Sequence, residues 1–283
     1  MDLIQTIVIA IVEGLTEFLP VSSTGHMIIT QKILGVAEGD PFVHAFTFII
    51  QFGAILSVVC LYWKHFFQMR TREELSERLK FYGLLVVGVI PAVVVGLLAK
   101  KSGLLDWLLD SVHVVAIMLV VGGIFMLFCD KLFNKGDKLL AKSGEENKVT
   151  PRRAFFIGCF QCLAVIPGVS RSMATIVGGM QQCLTRKRAA EYSFFLAVPT
   201  MAGATLLDLI EMLGEDTAWA TAQNVELLIV GCVVAFVVAM LAMKWFVGFL
   251  TKYGFKAFGW YRIVVGAVIL LMLMMGYQLN MVD

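Results

Sequence analysis

Residues 13–26 read E-G-L-T-E-F-L-P-V-S-S-T-G-H, and residues 167–175 read P-G-V-S-R-S-M-A-T. Both stretches interrupt apolar sequence. Together they carry two carboxylates, a histidine, an arginine and several hydroxyls. Burying such groups in hydrocarbon costs several kcal/mol or more unless they pair or face water, so an ionisable residue at membrane depth marks a functional site. These two stretches decide how the rest of the chain has to fold.

The chain around them is a membrane chain. Of its 283 residues 59% are hydrophobic and only 16% charged, and its mean hydropathy is +0.84, far more apolar than a soluble domain of this length. Its apolar runs are continuous and ~20 residues long, which indicates helices and not a barrel. The formal charge of +2 says little about partners beyond membrane lipid, and no nucleic acid is expected. Residues 1–5, M-D-L-I-Q, lack the basic region of a cleavable signal, so the first apolar piece is expected to stay. The six cysteines all lie in apolar segments. Cys159-x-x-Cys162 has no second pair or nearby histidine and reads as two small buried hydrophobes.

Six stretches are long enough to span: roughly 43–63, 82–99, 112–129, 192–211, 225–250 and 258–277. The polar motifs fall outside them. Around each motif the apolar sequence comes in half-length pieces, 3–12 with 26–36 and 154–166 with 173–184, broken at a proline and small residues. Each pair reads as a re-entrant hairpin with its tip near the midplane, allowed where it is buried in protein or lines a wet cavity.

Basic residues set the orientation. Segment 64–80 carries Lys64, Arg70, Arg72, Arg78 and Lys80, and segment 130–153 carries seven Lys or Arg. Arg186, Lys187 and Arg188 form a third cluster, Lys252 and Lys256 a fourth. The positive-inside rule places all four in the cytoplasm. The loop at 100–111 and the acidic loop at 212–224, with Glu215 and Asp216, then lie outside, as do both termini. Hairpin one enters from outside and hairpin two from the cytoplasm.

This threading contains a repeat. Each half is one hairpin followed by three spans, and three is odd, so the second half is inverted. The expected fold is an all-α integral membrane protein, one membrane domain over 1–283. Repeat one covers about 1–130, a cytoplasmic linker 131–153 and repeat two 154–283, with two hairpin tips meeting at the midplane. P-V-S-S at 20–23 lines up with P-G-V-S at 167–170, a shift of 147 residues. Such inverted repeats with broken helices place binding sites at the midplane in many transporters. The linker, N-K-G-D-K-L-L-A-K-S-G-E-E-N-K, reads as solvated, with no further role for its charges.

Spacing carries the chemistry. Glu13 and Glu17 share one face of a helical turn, ~6 Å apart at Cβ. Two carboxylates that close repel, so one is protonated, or a divalent cation such as Mg²⁺ lies between them. Ser22, Ser23, Thr24 and His26 supply hydroxyls and an imidazole at the start of the next half-helix. At least one of the hydroxyls suits a helix cap, and a Ser and His with a carboxylate nearby also supply a nucleophile, a base and an orienting group. In the second motif Ser170, Ser172 and Thr175 offer hydroxyls and Arg171 a guanidinium that grips phosphate bidentately at a helix N-terminus. Arg171 could instead pair with Glu13 or Glu17 as structural glue.

E-x-x-x-E at Glu13 and Glu17, the following P-V-S-S-T-G-H and P-G-x-S-R-S-x-x-T closely resemble the membrane undecaprenyl-diphosphatases of the bacitracin-resistance type, with no departure at the motif positions. The resemblance spans essentially the whole chain. It implies hydrolysis of undecaprenyl diphosphate on the outer face of the bacterial inner membrane, recycling a lipid carrier for cell-wall polymers. It also implies a divalent cation and functional roles for Glu13, Glu17, Ser23, His26 and Arg171. The assignment that follows takes Ser23 as nucleophile, Glu17 or His26 as base and leaving-group acid, and Arg171 as the phosphate clamp. Ser22, Thr24, Ser170, Ser172 and Thr175 hold substrate, and Glu13 with Glu17 holds Mg²⁺ or Ca²⁺. His26 as nucleophile is the alternative. A lipid flippase is the other function class this architecture suits, and homodimerisation is left open.

Overall fold

The computed structural model describes the chain apart from residues 37–38, 70, 110, 146, 216–218, 278 and 280–283, and apart from the side chains of 105, 106, 109, 211, 213 and 215. Arg70, Asp216 and the Glu215 side chain, counted above in setting the orientation, lie outside the described residues.

Among the described residues the chain is helical throughout. In order come α1 (Leu3–Thr16), α2 (Ser23–Ile33), α3 (Pro41–Leu61), α4 (Trp63–Phe67), α5 (Arg72–Lys101), α6 (Leu104–Leu109) and α7 (Val112–Leu132). Then follow α8 (Lys135–Ser143), α9 (Pro151–Gln161), a 3-10 turn (Cys162–Val165), α10 (Arg171–Gln181), α11 (Arg186–Glu215), α12 (Ala222–Tyr253) and α13 (Lys256–Met274). Six of these, α3, α5, α7, α11, α12 and α13, are long and apolar enough to cross a membrane. Helix starts follow local chemistry. Asp2 and Gln5 form a reciprocal capping box, as do Thr71 and Glu74, while Asp40 and Thr150 cap helices that open with Pro41 and Pro151.

Two hairpins enter from opposite ends. Gln5 Nε2 donates to the Leu34 carbonyl (3.0 Å), which closes the mouth of α1–α2. Met1 and Asp2 share a surface recess with Gln223 at the start of α12. Asn147 Nδ2 donates to the Cys183 carbonyl (2.8 Å), which closes the mouth of α9–α10. That second mouth lies where the basic segments converge. Arg186 pairs with Asp130 (3.0 Å) and Asp137 (2.9 Å), and Asp130 Oδ2 accepts from the Phe255 N–H (2.8 Å). The segment after α7 is largely exposed, as expected, but it folds as α8, and its Asp137 pairs with Arg186 at the start of α11, a role not expected of its charges.

The halves exchange partners. The first helix of each hairpin packs on the second span of the opposite half, α1 on α12 and α9 on α5, while α3 packs on α11 and α7 on α13. The backbone repeats as well. Ser22 (φ 70°, ψ 100°) and Ser170 (φ 74°, ψ 115°) sit in the same rare conformation just before α2 and α10. This corrects the alignment expected from sequence. Ser170 is the counterpart of Ser22, not Ser23, because Gly168 is an extra residue after the proline; Ser23 therefore stands opposite Arg171.

A row of buried rings connects the site to the core. Phe18 meets Phe194 edge-on (centroids 5.6 Å), Phe194 meets Phe246 (6.1 Å) and Phe246 meets Phe258 (5.4 Å). The outward faces stay apolar, with Val86, Ile90, Val94 and Leu97 of α5 exposed. A lipid-facing helix requires this.

Candidate active site

α1 gives out at Glu17, whose N–H still bonds to the Glu13 carbonyl (3.0 Å) before residues 18–21 turn the chain toward α2. The second tip turns at Pro167 and Gly168. Gly168 has φ 88°, and a Cβ there would stand 2.5 Å from the Val115 carbonyl, so only glycine lets this tip seat against α7.

The tips touch through charge. Arg171, the first residue of α10, donates from Nη2 to Glu17 Oε1 (2.9 Å), and the other Glu17 oxygen, Oε2, accepts from Ser23 Oγ (2.7 Å). Arg171 also reaches Met201 Sδ (2.9 Å) and the Ser193 carbonyl (3.4 Å), and its guanidinium lies over the Phe18 ring at 5.6 Å. Its Nε is buried and has no hydrogen-bond partner among the described residues. A buried N–H without a partner is costly, and an anionic oxygen would relieve it.

These groups border a cavity of about 190 Å³ whose lining includes Glu17, Ser22, Ser23, Thr24, Pro167, Gly168, Ser170 and Arg171. Gln51 of α3 and Met201 of α11 also line it. The sequence reading singled out neither of these two. Gln51 is a polar residue inside an otherwise apolar span, and that was the available signal.

Other candidate residues stand outside this cavity. Ser172 is fully buried, donates to the Leu19 carbonyl (2.8 Å) and shares a hydrogen bond with Ser170 Oγ (3.0 Å), so it clasps one tip to the other. Thr175, also fully buried, donates to the Arg171 carbonyl (2.9 Å) and meets Ser193 Oγ (2.6 Å), bracing α10 against α11. His26 does not line the cavity. Its Nδ1 donates to the Ser22 carbonyl (2.7 Å), its Nε2 meets the Tyr261 hydroxyl (2.7 Å), and its ring stacks on that tyrosine.

Glu13 lies inside α1 and is 1% exposed, within electrostatic reach of Glu17 and Arg171. Its Oε1 has no hydrogen-bond partner among the described residues. A hard cation would satisfy that oxygen. Among the described residues no cluster of three or more His, Cys, Asp or Glu forms a closed metal cage, and Cys159 with Cys162 recruits no further ligand. Two carboxylates are within the number that Mg²⁺ typically takes from a protein, the rest of its shell being water and substrate phosphate.

Sequence reasoning missed Arg262. This fully buried arginine of α13 donates to Pro20 (3.3 Å) in the first tip, to Gly168 (2.6 Å) and Val169 (3.0 Å) in the second, and to Met118 (3.1 Å) and Leu119 (3.4 Å) of α7, all at backbone carbonyls. Non-helical backbone at membrane depth needs such partners. An arginine inside an apolar span was the visible sign.

Fold and site define a multi-pass membrane protein whose two re-entrant hairpins bring a hydroxyl, a carboxylate and a guanidinium together in one cavity. Residues 6–268 match the family described as Bacitracin resistance protein BacA, and the chain belongs to that family. It is 52% identical to a Porphyromonas gingivalis protein over 99% of both chains, and 54% identical to one from Flavobacterium psychrophilum over 96% of both. A Bdellovibrio bacteriovorus protein is 45% identical over the full length of both. All three relatives are named undecaprenyl-diphosphatase.

Proposed function

We propose that this protein hydrolyses undecaprenyl diphosphate to undecaprenyl phosphate and inorganic phosphate. The observation that carries the chemistry is the Ser23–Glu17–Arg171 chain, a hydroxyl already donating to a carboxylate that a guanidinium holds in place. Ser23 Oγ attacks the terminal phosphorus while Glu17 Oε2 takes its proton. The anhydride P–O bond breaks, and undecaprenyl phosphate leaves as an anion that needs little protonation. Glu17 releases the first proton to bulk water, then takes a proton from the water that attacks the phosphoserine and returns it to Ser23 Oγ as phosphate departs.

Arg171 meets the charge that builds on the phosphoryl oxygens, with its Nε and the α10 N-terminus as further donors. Ser170, Ser22 and Thr24 line the same space. Glu13 and Glu17 are the residues that would hold a divalent cation, which when bound would neutralise diphosphate charge. Both His26 ring nitrogens are engaged, with the Ser22 carbonyl and the Tyr261 hydroxyl, while Glu17 already accepts from Ser23, which favours Glu17 over His26 as the base. The convergence of the basic segments at one end supports placing that end in the cytoplasm of a bacterial inner membrane, with hairpin one opening outward where the carrier lipid is recycled.

Phosphate release by the purified protein in neutral detergent tests this reading. Glu17→Gln should lower kcat by ~10² or more, the usual worth of a positioned base. Unchanged turnover in Glu17→Gln rejects Glu17 as base, and no phosphate release by the intact protein rejects the activity.

A further inference from the structure

A second cavity, of about 340 Å³, opens at the basic end of the molecule and shares no residue with the first. Its rim carries Arg78 and Lys80 of α5, Lys148 ahead of α9 and Arg188 of α11, together with His65 of α4; among the described residues Glu77 is the only acid lining it. Three segments distant in sequence thus bring their cations to one recess. Lys80 and Lys148 make no side-chain hydrogen bond or ion pair among the described residues. Arg78 is fixed through Nη1, which donates to the His65 carbonyl (2.5 Å), while its Nε is buried without a partner among the described residues.

The floor is apolar. Phe81 and Phe195 meet edge-on (5.2 Å), Leu84 and Val149 lie beside them, and the Tyr192 hydroxyl is already spent on the Leu84 carbonyl (2.8 Å). Trp63 and Phe67 are exposed next to His65. Exposed aromatic rings flanking a span are the usual mark of the headgroup level. The positive field is felt locally: the His65 imidazole is held below its ordinary pKa by burial and by the charges of Arg78 and Arg188.

We propose that this recess is a binding site for the phosphate headgroup of an anionic membrane lipid, seated with its phosphodiester among Arg78, Lys80, Lys148 and Arg188 and its glycerol end on the aromatic floor. A cationic rim over an apolar floor at headgroup depth suits a phosphodiester that continues into hydrocarbon, and clustered Lys and Arg recognise such lipids. Binding here is independent of the catalytic reading, because none of these residues belongs to the catalytic cavity.

The test is lipid retention in native mass spectrometry from neutral detergent, titrating phosphatidylglycerol, phosphatidylcholine and inorganic phosphate onto the Arg171→Ala protein, in which the catalytic clamp is gone. Phosphatidylglycerol should bind far better than phosphatidylcholine. Adding Lys80→Ala and Lys148→Ala should weaken it roughly 20-fold, as loss of two lysines near a headgroup predicts. The same two changes on the native chain should leave its melting temperature and its turnover in neutral detergent unchanged. Equal affinity for the two lipids overturns the proposal, and so does undiminished phosphatidylglycerol binding in the lysine variant. Inorganic phosphate binding as tightly as phosphatidylglycerol would make this a free-anion site instead.

Discussion

Ser22 and Ser23 are adjacent and do different work. Ser22 adopts φ 70° and makes no side-chain cap; its carbonyl holds His26, and its backbone turns the chain into α2. Ser23 donates its hydroxyl to Glu17. Ser22→Gly, which suits a positive φ, should therefore fold normally and keep turnover within about tenfold. Ser23→Ala should lose kcat by ~10³ or more with a modest change in KM, since it removes the attacking atom and little of the binding. A quench should trap acid-stable, alkali-labile phosphate on wild-type Ser23. Acid-labile phosphate on His26 would install the imidazole as nucleophile, and a fully active Ser23→Ala would leave water as the attacking group. Glu17, Ser23 and Arg171 were legible in the sequence because ionisable and hydroxyl groups at membrane depth need a reason. The directions of His26, Ser172 and Thr175 were not. Spacing along a helix places a Cα, while the side chain's course depends on neighbours such as Tyr261 and Ser193 that come from remote segments.

At the scale of elements, half-length apolar pieces announced the two hairpins, and length alone announced the six spans. What fixes the tips against each other was hidden, because the acceptors are backbone carbonyls and no side-chain pattern records them. Arg262 gathers three carbonyls from the two tips and two from α7, joining turns that make few regular hydrogen bonds of their own. Removing it leaves those buried oxygens without their charged donor, at ~1–3 kcal/mol for each that stays unsatisfied. Arg262→Met should thus lower the melting temperature and lower kcat together, although its side chain does not line the catalytic cavity. Arg262→Lys, with three donors on a flexible stem, should recover part of the stability and little of the rate. Wild-type melting and turnover in Arg262→Met would remove Arg262 from any role in placing the tips. The one-residue slip at Gly168 escaped sequence alignment for a related reason. The proline anchors the eye, but the repeated feature is the backbone conformation of Ser22 and Ser170.

The whole molecule is organised by opposed insertion, since a hairpin and three spans return the chain on the far side of the membrane and the second half starts there upside down. Charge then chooses which way the assembly faces. Arg186, its partners Asp130 and Asp137, the cavity rim of Arg78, Lys80, Lys148 and Arg188, and the mouth of hairpin two all gather at one end. Gln223, beside Met1 and Asp2, marks the other. α12 connects the two ends through 32 residues, ~48 Å of helix and longer than the hydrocarbon core, so its termini stand on opposite sides. In a cysteine-free background Gln223→Cys should react with an impermeant thiol reagent on intact spheroplasts, and Glu145→Cys should react only after the membrane is opened. The reverse labelling pattern would turn the molecule over and put the mouth of hairpin one in the cytoplasm, on the wrong side for recycling a carrier released outside. Labelling of both sites in intact spheroplasts would contradict the membrane crossing of α12 itself.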